Sequence, residues 1–206
     1  KGMERIVEKH IRDKVLRRNP LNQRQHAYQC GKSCDSALHA LVHKIERGMD
    51  EGLYTLGVFI DIEGAFDNAT FESMCSAAEG SGVDPMIVRW IHAMLSQRRL
   101  RAGVGDNEVK VGVERGCPQG GVLSPLLWCF VVNSLLEEVS QLGIFIQAYA
   151  DDVCLLISHK NLRKVCEQTQ SVLNRLDAWC SRNGLNANPN KTNLVLFTRK
   201  RKIEGL

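Results

Sequence analysis

Short apolar runs separated by polar turns predict four β-strands in this chain. Residues 54–60 are almost continuously apolar, which is typical of a buried strand. Residues 143–148 and 153–157 are rich in β-branched and aromatic side chains and too short for independent helices, so they predict a β-hairpin. A last strand is predicted over residues 194–197, after a turn at Asn188-Pro-Asn.

Apolar residues at helical spacing predict helices between these strands. Start signals such as Asp84-Pro85 and stop signals such as Gly52 place their ends. A further hairpin is expected over residues 99–113, with its turn at 105–107. Six helices are predicted: residues 4–18, Ser33 or Asp35 to about Met49, Asp67 to about Glu79, Asp84 to Leu95, 126–139 and 162–180. The second helix would have an apolar face of Leu38, Leu41, Val42 and Ile45. Ser124 is the expected N-cap of the helix over 126–139.

The order of these elements predicts the fold class. Without residues 67–114, the order is strand, helix, strand, strand, helix, strand. This is the split βαβ arrangement, an α+β fold in which a four-stranded antiparallel sheet is backed by helices. The first and third strands are commonly neighbours in this topology, so Asp61 and the Asp151-Asp152 turn are expected to lie together at one edge.

The turn Tyr149-Ala-Asp-Asp152 is unusual because it carries two adjacent acids. Two-residue hairpin turns favour Asn-Gly or Asp-Gly, since both central residues need positive φ, and departures of this kind mark functional sites. Two negative charges about 4 Å apart repel by roughly 1 kcal/mol in water and about 4 kcal/mol at an effective dielectric of 20. The turn is therefore expected to bind cations, and its hard oxygen ligands suit Mg²⁺ or Mn²⁺.

Charge is unevenly distributed along the chain. The 206 residues include 27 basic and 23 acidic side chains, a net charge of +4 that does not by itself indicate a nucleic-acid-binding protein. Basic residues cluster at 9–24, 98–101 and 199–202, where they either contact phosphates or form solvated surface. No apolar run approaches the ~20 residues that span a bilayer, so no membrane partner is expected.

The eight cysteines do not form a C-x-x-C pattern. Four of them fall at apolar positions, as small buried side chains do: Cys75, Cys129, Cys154 and Cys166. Cys30 and Cys34, with His26 and His39 nearby, are the best zinc candidates, but no structural zinc is expected. Cysteines without a disulfide or zinc pattern predict a reducing, intracellular compartment. The first residue is Lys1, which suggests a segment of a longer protein.

Clustered carboxylates permit a specific chemistry. Two divalent ions held about 3.5 to 4 Å apart catalyse in-line displacement at phosphorus, and the protein mainly positions the reactants. The glycine-rich loop over residues 116–125 would let its backbone N–H groups approach a nucleotide or a template strand closely.

Four segments carry distinctive motifs, namely residues 59–67, 116–125, 149–152 and 184–192. In order, they resemble four successive motifs of reverse transcriptases, and their variant forms resemble the non-LTR (LINE-type) retrotransposon branch. Residues 25–33 are similar to a fingers motif of that branch, although Ala27-Tyr-Gln29 lacks its usual arginine. The resemblance implies a polymerase palm at 54–206 with an insertion at 67–114, partial helical fingers at 1–53, and a thumb and endonuclease outside this chain.

The resemblance also implies roles for individual residues. Asp61, Asp151 and Asp152 match the catalytic, metal-binding aspartates, and the backbone carbonyl of Ile62 is a further expected ligand for two Mg²⁺ or Mn²⁺ ions. Residues expected near the dNTP and template are Phe66, Gln119, Gly120, Lys191 and Tyr149. Phe66 would exclude a 2′-hydroxyl, or it would be a core side chain under the turn.

The function expected from the resemblance is RNA-directed DNA synthesis, with an RNA template, a DNA primer and dNTPs as partners. Target-primed synthesis would take place in the nucleus, and a cytoplasmic ribonucleoprotein is the other expected location. The alternatives are a catalytically inactive, degenerate reverse-transcriptase-like domain that binds nucleic acid, and an RNA-recognition module with the same sheet topology. An RNA-dependent RNA polymerase is disfavoured because Phe66 should reject ribonucleotides.

Overall fold

A computed structural model of the chain describes residues 1–104 and 107–201. The helices are α1 Gly2–His10, a π-helix Ile11–Val15, α2 Cys34–Asp50, α3 Ala65–Asn68, α4 Phe71–Gly80, α5 Pro85–Ser96, α6 Ser124–Ser140 and α7 Leu162–Arg182. The strands are β1 Tyr54–Asp61, β2 Arg99–Val104, β3 Asn107–Gly112, β4 Phe145–Tyr149, β5 Asp152–His159 and β6 Asn193–Phe197.

The chain forms two compact units. The first consists of residues Lys1–Leu21, Gly64–Val131 and Asn183–Leu185. The second consists of Asn22–Glu63, Val132–Arg182 and Asn186–Leu206. This division is based on packing, and the predicted boundary between fingers and palm stays a prediction. No helix in the described part of the chain is long and apolar enough to cross a membrane.

A four-stranded antiparallel sheet organises the second unit. Its strand order is β4-β5-β1-β6, so the first and third strands of the predicted split βαβ unit are neighbours. β1 pairs with β5 along its whole length, from Tyr54 opposite His159 to Asp61 opposite Asp152. The predicted α+β palm topology is confirmed.

Helices cover both faces of this sheet. α7 packs against β5 and β1, and its Trp179 Nε1 donates a hydrogen bond to Ser134 Oγ at 2.9 Å. On the opposite face, Ile45 of α2 packs with Cys154 and Leu156 of β5. The sheet is therefore a rigid support for residues at the ends of its strands.

The position of α2 differs in detail from its prediction. Ser33 caps the N-terminus of α2 in a capping box with Ser36. Ser33 was one of the two residues at which the helix was predicted to start. Leu38, however, is 53% exposed, and Val42 is also exposed. The helix is turned because Gly48 approaches β1 so closely that a Cβ there would lie 2.3 Å from Thr55 Oγ1. A close contact through glycine is invisible to hydrophobic periodicity.

Two helix predictions in the first unit were wrong in their boundaries. α1 ends at His10 and continues as a π-helix, in which Leu16 N–H donates to Ile11 O at 3.0 Å. The helix predicted to be capped by Asp67 is instead capped by Thr70, whose side chain accepts from Ser73 N–H. Asp84 caps α5 as predicted, and the predicted hairpin is present as β2 and β3. Residues 105 and 106 of its turn lie outside the described residues.

The start of α6 also differs from its prediction. Ser124 is the first helical residue, and its Oγ donates to Pro118 O at 2.7 Å, so it does not cap the helix. Leu127 N–H donates to Leu123 O at 2.9 Å, which places the N-cap at Leu123.

All eight cysteines are free thiols. Cys166 is exposed, contrary to expectation, whereas Cys75, Cys129 and Cys154 are buried.

Candidate active site

Three acids meet at one end of the palm sheet, as predicted. Asp61 is the last residue of β1, and it lies directly opposite Asp152, the first residue of β5. Asp151 precedes Asp152 in the turn, and its backbone carbonyl accepts a hydrogen bond from Ile62 N–H at 3.4 Å. Tyr149 is the register partner of Asp152 on β4. The fold thus brings together residues separated by about 90 positions in the sequence.

The strain in the acidic turn falls on the alanine. Tyr149 pairs with Asp152, so Ala150 and Asp151 are the central residues of the turn. Of these two, Ala150 has a positive φ of 55°. Alanine rarely adopts this conformation, because its Cβ crowds the backbone. Only one of the two central residues has the positive φ that two-residue hairpin turns usually require, since Asp151 keeps an ordinary φ.

A backbone-bonded loop closes the other side of the acids. Asn188 N–H donates to Asp61 O at 2.9 Å, and Glu63 N–H donates to Asn186 O at 2.8 Å. The loop presents Lys191, whose Nζ lies 3.2 Å from Asp61 Oδ2 and 3.3 Å from Oδ1. The lysine predicted near a triphosphate therefore forms an ion pair with Asp61.

The acids repel one another. Partial burial of the carboxyl group raises the pKa of Asp152, and the charges of Asp151 and Asp61 raise it further. Lys191 acts in the opposite direction and lowers it. The site therefore carries more negative charge than its one paired lysine offsets, which favours binding of cations.

The acids are close, but they do not form a ready-made metal cage. Within residues 1–104 and 107–201, no three His, Cys, Asp or Glu side chains are arranged to hold one ion. Asp61 is turned toward Lys191, with which it forms an ion pair. The donor set nevertheless fits Mg²⁺, which keeps several waters and uses one or two carboxylates together with substrate phosphates. The role of the Ile62 carbonyl stays a prediction.

Three other predicted site residues belong to the first unit. Phe66 lies in α3 and is half-buried, with its ring centroid 6.0 Å from that of Trp128. Gln119 Nε2 donates to both carboxylate oxygens of Asp67, at 3.1 and 3.3 Å. Gly120 has a φ of 75°. Their proposed contacts with nucleotide and template stay predictions.

The glycine-rich loop is fixed by bonds that sequence reasoning missed. Gly116 N–H donates to Ala69 O at 2.8 Å, and Cys117 N–H donates to Phe66 O at 2.7 Å. Arg98, predicted as part of a phosphate-binding patch, instead donates to the backbone carbonyls of Leu95, Arg115 and Gly116. The sequence does not distinguish this structural role of Arg98 from phosphate binding, because an arginine beside a strand is compatible with either role.

A groove at the base of the β2–β3 hairpin adds residues that the sequence did not single out. It has a volume of about 560 Å³ and lies beside the glycine-rich loop. Arg99, Arg115 and Gln119 line it. Arg115 was missed, although its position directly before the loop was a usable signal. The exposed arginines make the groove suitable for phosphate groups.

An antiparallel split βαβ sheet with acids at the ends of two neighbouring strands agrees with the palm of a nucleic-acid polymerase. The family model described as "Reverse transcriptase (RNA-dependent DNA polymerase)" matches residues 1–206, and the chain belongs to this family. Divalent metal ions are used generally in this family.

Curated relatives come from insect mobile elements. The chain is 30% identical to the probable RNA-directed DNA polymerase from transposon BS of Drosophila melanogaster, over 96% of this chain and 22% of the relative. It is 29% identical to the Pol polyprotein from type-1 retrotransposable element R1 of Bradysia coprophila, over 96% of this chain and 19% of the relative. The chain thus spans about a fifth of the length of these proteins.

Solved structures show the same fold. The telomerase of Candida tropicalis in complex with the TWJ fragment of telomeric RNA superposes with a TM-score of 0.68 at 11% identity. The match covers 92% of this chain and 33% of the telomerase chain. At this identity the similarity establishes the fold alone.

Proposed function

We propose that this chain catalyses RNA-templated DNA synthesis as the polymerase domain of a non-LTR retrotransposon. The 3′-hydroxyl oxygen of a DNA primer forms a bond to the α-phosphorus of a dNTP and loses its proton to solvent, while the bond from the α-phosphorus to the bridging oxygen breaks and pyrophosphate leaves. The observation that carries this proposal is the register of Asp61 opposite Asp152, with Asp151 adjacent, in a reverse transcriptase family member. For the parent protein we propose target-primed synthesis in the nucleus.

The acids would hold two Mg²⁺ ions, with Mn²⁺ as a substitute. Bound there by Asp61, Asp151, Asp152 and the Ile62 carbonyl, such ions supply Lewis-acid activation of the hydroxyl and neutralise phosphate charge. Partial burial raises the pKa of Asp152 and the charges of Asp151 and Asp61 raise it further, and a cation would relieve this repulsion. β1 and β5 fix the backbone positions of Asp61 and Asp152, so the side chains are what must adjust when cations bind, with Lys191 leaving Asp61.

Lys191 is proposed to neutralise the departing pyrophosphate. In the free protein its Nζ pairs with Asp61, and this pair holds the side chain beside the acids. An exposed ion pair of this kind contributes less than about 1 kcal/mol, so it is easily exchanged. When cations occupy the acids, the lysine is free to turn to the triphosphate. Lys191 would thus pair with Asp61 in the free protein and with the triphosphate when cations and substrate are bound.

The proposed function is tested by primer extension. The chain is given an RNA template of defined sequence, an annealed DNA primer, Mg²⁺ and dNTPs. We expect stepwise extension that stops at the predicted template position when one dNTP is omitted. Binding of the template–primer without any extension would contradict the proposal and favour the alternative of an inactive nucleic-acid-binding domain.

Phe66 is proposed to select deoxynucleotides. We expect Phe66→Ala to reduce the preference for dNTP over NTP by about 10- to 100-fold, because a smaller side chain admits the 2′-hydroxyl. Single-nucleotide incorporation gives the two kcat/KM values. Phe66→Tyr is the matched control, since it keeps the ring and should keep the preference. If Phe66 only packs against Trp128, the alanine variant would lose thermal stability with an unchanged preference.

The β2–β3 hairpin is proposed to contact nucleic-acid phosphates. Arg99 and Arg101 lie on one face of the hairpin, and Lys110 is the register partner of Arg101. We expect the double variant Arg99→Ala/Arg101→Ala to bind template–primer more weakly and to lower the slope of log K against log salt by about 1 to 2. Fluorescence anisotropy at several salt concentrations measures both quantities.

A control for the hairpin variant comes from α7. Arg163 and Arg175 are exposed arginines of the second unit that have no proposed contact with nucleic acid. Replacing both by alanine changes the net charge by the same amount. Equal loss of affinity in the two double variants would show that only the total charge matters, and it would remove the assignment to the hairpin.

A further inference from the structure

A carboxylate of the first helix holds the end of the glycine-rich loop. Glu4 lies in the first turn of α1, and its Oε2 accepts hydrogen bonds from Val122 N–H at 2.9 Å and from Leu123 N–H at 3.5 Å. Its other oxygen, Oε1, lies 3.3 Å from the amino group of Lys1. All four residues belong to the first unit. The loop is thus bonded to a residue 118 positions away in the sequence.

The Glu4 carboxylate supplies a cap that α6 cannot supply itself. Leu123 is the N-cap residue of α6, and a leucine side chain offers no acceptor to the free N–H groups of the first turn. Leu123 is fully buried, so water cannot take the place of the carboxylate at its N–H. A buried N–H without an acceptor is costly. Loss of Glu4 would therefore force the backbone at Val122 and Leu123 to move toward another acceptor.

The electrostatics of Glu4 agree with this role. Burial raises the pKa of the Glu4 carboxyl, but the hydrogen bond from Val122 N–H, the amino group of Lys1 and the hydrogen bond from Leu123 N–H lower it by more. The pKa therefore lies below its ordinary value, and Glu4 is ionised at neutral pH. An ionised acceptor forms a stronger hydrogen bond than a neutral one, and a negative charge is favourable at the start of a helix.

The position of Val122 is transmitted to Gln119 because the turn between them is rigid. Gly121 N–H donates to Pro118 O at 2.9 Å, and Ser124 Oγ donates to the same oxygen at 2.7 Å. A Cβ on Gly121 would lie 2.5 Å from Ser124 Oγ, so this turn is tightly packed. A shift of Val122 would consequently displace the turn that carries Gln119 as one piece.

We propose that Glu4 is a positioning residue for the nucleotide site. It acts through the loop, by holding Gln119 where it meets the incoming dNTP, and it does not touch the substrate itself. This assignment rests on the proposed function, in which Gln119 contacts the dNTP. The acids that would carry the chemistry belong to the sheet of the second unit. Loss of Glu4 should therefore weaken dNTP binding more than it slows bond formation.

The test measures dNTP binding without bond formation. A DNA primer that ends in a dideoxynucleotide is annealed to an RNA template that carries a fluorescent base beside the templating position. The dissociation constant of the next dNTP is then measured by titration in the presence of Mg²⁺. We expect Glu4→Ala to raise this constant about 5- to 20-fold, less than the full effect of a charged hydrogen bond because the loop transmits only part of it. Glu4→Gln keeps an acceptor oxygen without the charge, so it should raise the constant only about two- to fivefold.

Glu8→Ala is the matched control. Glu8 lies in the same helix, and its side chain is 24% exposed against 17% for Glu4, but its carboxylate accepts from Arg12 Nε. The control removes the same charge from α1 and should leave the dNTP constant within about twofold of the parent value. In 15N-labelled protein, the amide proton of Val122 should shift in Glu4→Ala and not in Glu8→Ala. Thermal unfolding reports whether each variant is folded at the assay temperature.

An unchanged dNTP constant in Glu4→Ala, together with a shifted Val122 amide, would overturn the proposal because the bond would then be structural only. An unshifted Val122 amide would overturn it as well. If Glu4→Ala does not fold, the same two measurements on Glu4→Gln decide. Binding of dNTP by the parent chain without extension of an ordinary primer would contradict the proposed function alone. Extension by the parent chain with an unaffected Glu4→Ala would contradict the assignment of Glu4 alone.

Discussion

Replacing Asp152 by asparagine is expected to reduce RNA-templated primer extension by at least about 1,000-fold. Asparagine keeps the size and shape of the side chain but removes the charge that would hold a divalent ion. Because Asp152 lies directly opposite Asp61, no other acid of β1 or β5 can take its place in the register. Single-turnover extension with saturating template–primer measures the loss. Activity within about tenfold of the parent chain would contradict the assignment.

The same variant is expected to be at least as stable as the parent chain. The pKa of Asp152 is raised by partial burial and by Asp151 and Asp61, so the folded state binds its proton more tightly than the unfolded state. The corresponding stability is present at low pH and is lost as pH rises through the raised pKa. At pH 7 the ionised carboxylate is therefore destabilising, by less than about 1 kcal/mol because it is exposed to solvent.

Urea unfolding between pH 4 and pH 8 tests this sign. The free energy of unfolding of Asp152→Asn should exceed that of the parent chain most near pH 7, and the difference should shrink toward pH 4. Asp177→Asn on the exposed side of α7 is the control, since Asp177 is not among the acids that face Asp152. A variant that is less stable than the parent chain at pH 7 would show that Asp152 holds the fold together, and its loss of activity would then have a trivial cause.

Replacing Gly116 by alanine is expected to destabilise the chain by about 2 to 5 kcal/mol. A Cβ at this position would lie 2.5 Å from Asp67 O and 2.8 Å from Asp67 C. This backbone cannot move away easily, because Gly116 N–H and Cys117 N–H are bonded to carbonyls of Ala69 and Phe66. The clash adds to the cost of a φ of 76° for a residue with a side chain.

Gly120→Ala is the matched control for this prediction. Its φ of 75° is nearly the same, but among the described residues no atom lies within 4 Å of a Cβ built there. It should cost only the backbone strain, about 1 to 2 kcal/mol. Urea unfolding of both variants at pH 7 gives the two free energies. Equal costs would show that the loop yields to the added methyl group, and that the contact with Asp67 is not tight.

The palm sheet could be predicted from sequence because its signals are local. The apolar runs of β1 and β5 mark buried strands, and the order of elements then restricts the topology to the split βαβ arrangement. That topology alone brings Asp61 beside Asp152. The prediction needed no side-chain detail, since strand register fixes which residues face each other.

The parts that failed depend on contacts between distant residues. The rotation of α2 follows from the close approach of Gly48 to Thr55, which periodicity cannot register. Asp67 has the spacing of a helix cap, but Thr70 lies where the backbone actually enters α4, and Asp67 accepts from Gln119 instead. Cys166 lies at an apolar spacing, yet α7 leaves it on its solvent side.

The candidate site shows the same limit. The acids were found from their motif and position, but the pairing of Lys191 with Asp61 depends on a loop held by the bond from Asn188 N–H to Asp61 O. The bond from Val122 N–H to Glu4 was equally invisible, because a glutamate in a helix gives no sign of which donor its carboxylate meets. Such features arise from the packed structure and not from residue type.

Binding of Mn²⁺ tests most directly whether the acids form a divalent-ion site. Isothermal titration calorimetry of the chain with template–primer and a non-hydrolysable dNTP should show Mn²⁺ uptake that Asp61→Asn and Asp152→Asn each weaken by at least about tenfold. Asp177→Asn should leave it unchanged. Equal Mn²⁺ uptake by all four proteins would contradict the account, because the ions would then be held by the nucleic acid and nucleotide without these carboxylates.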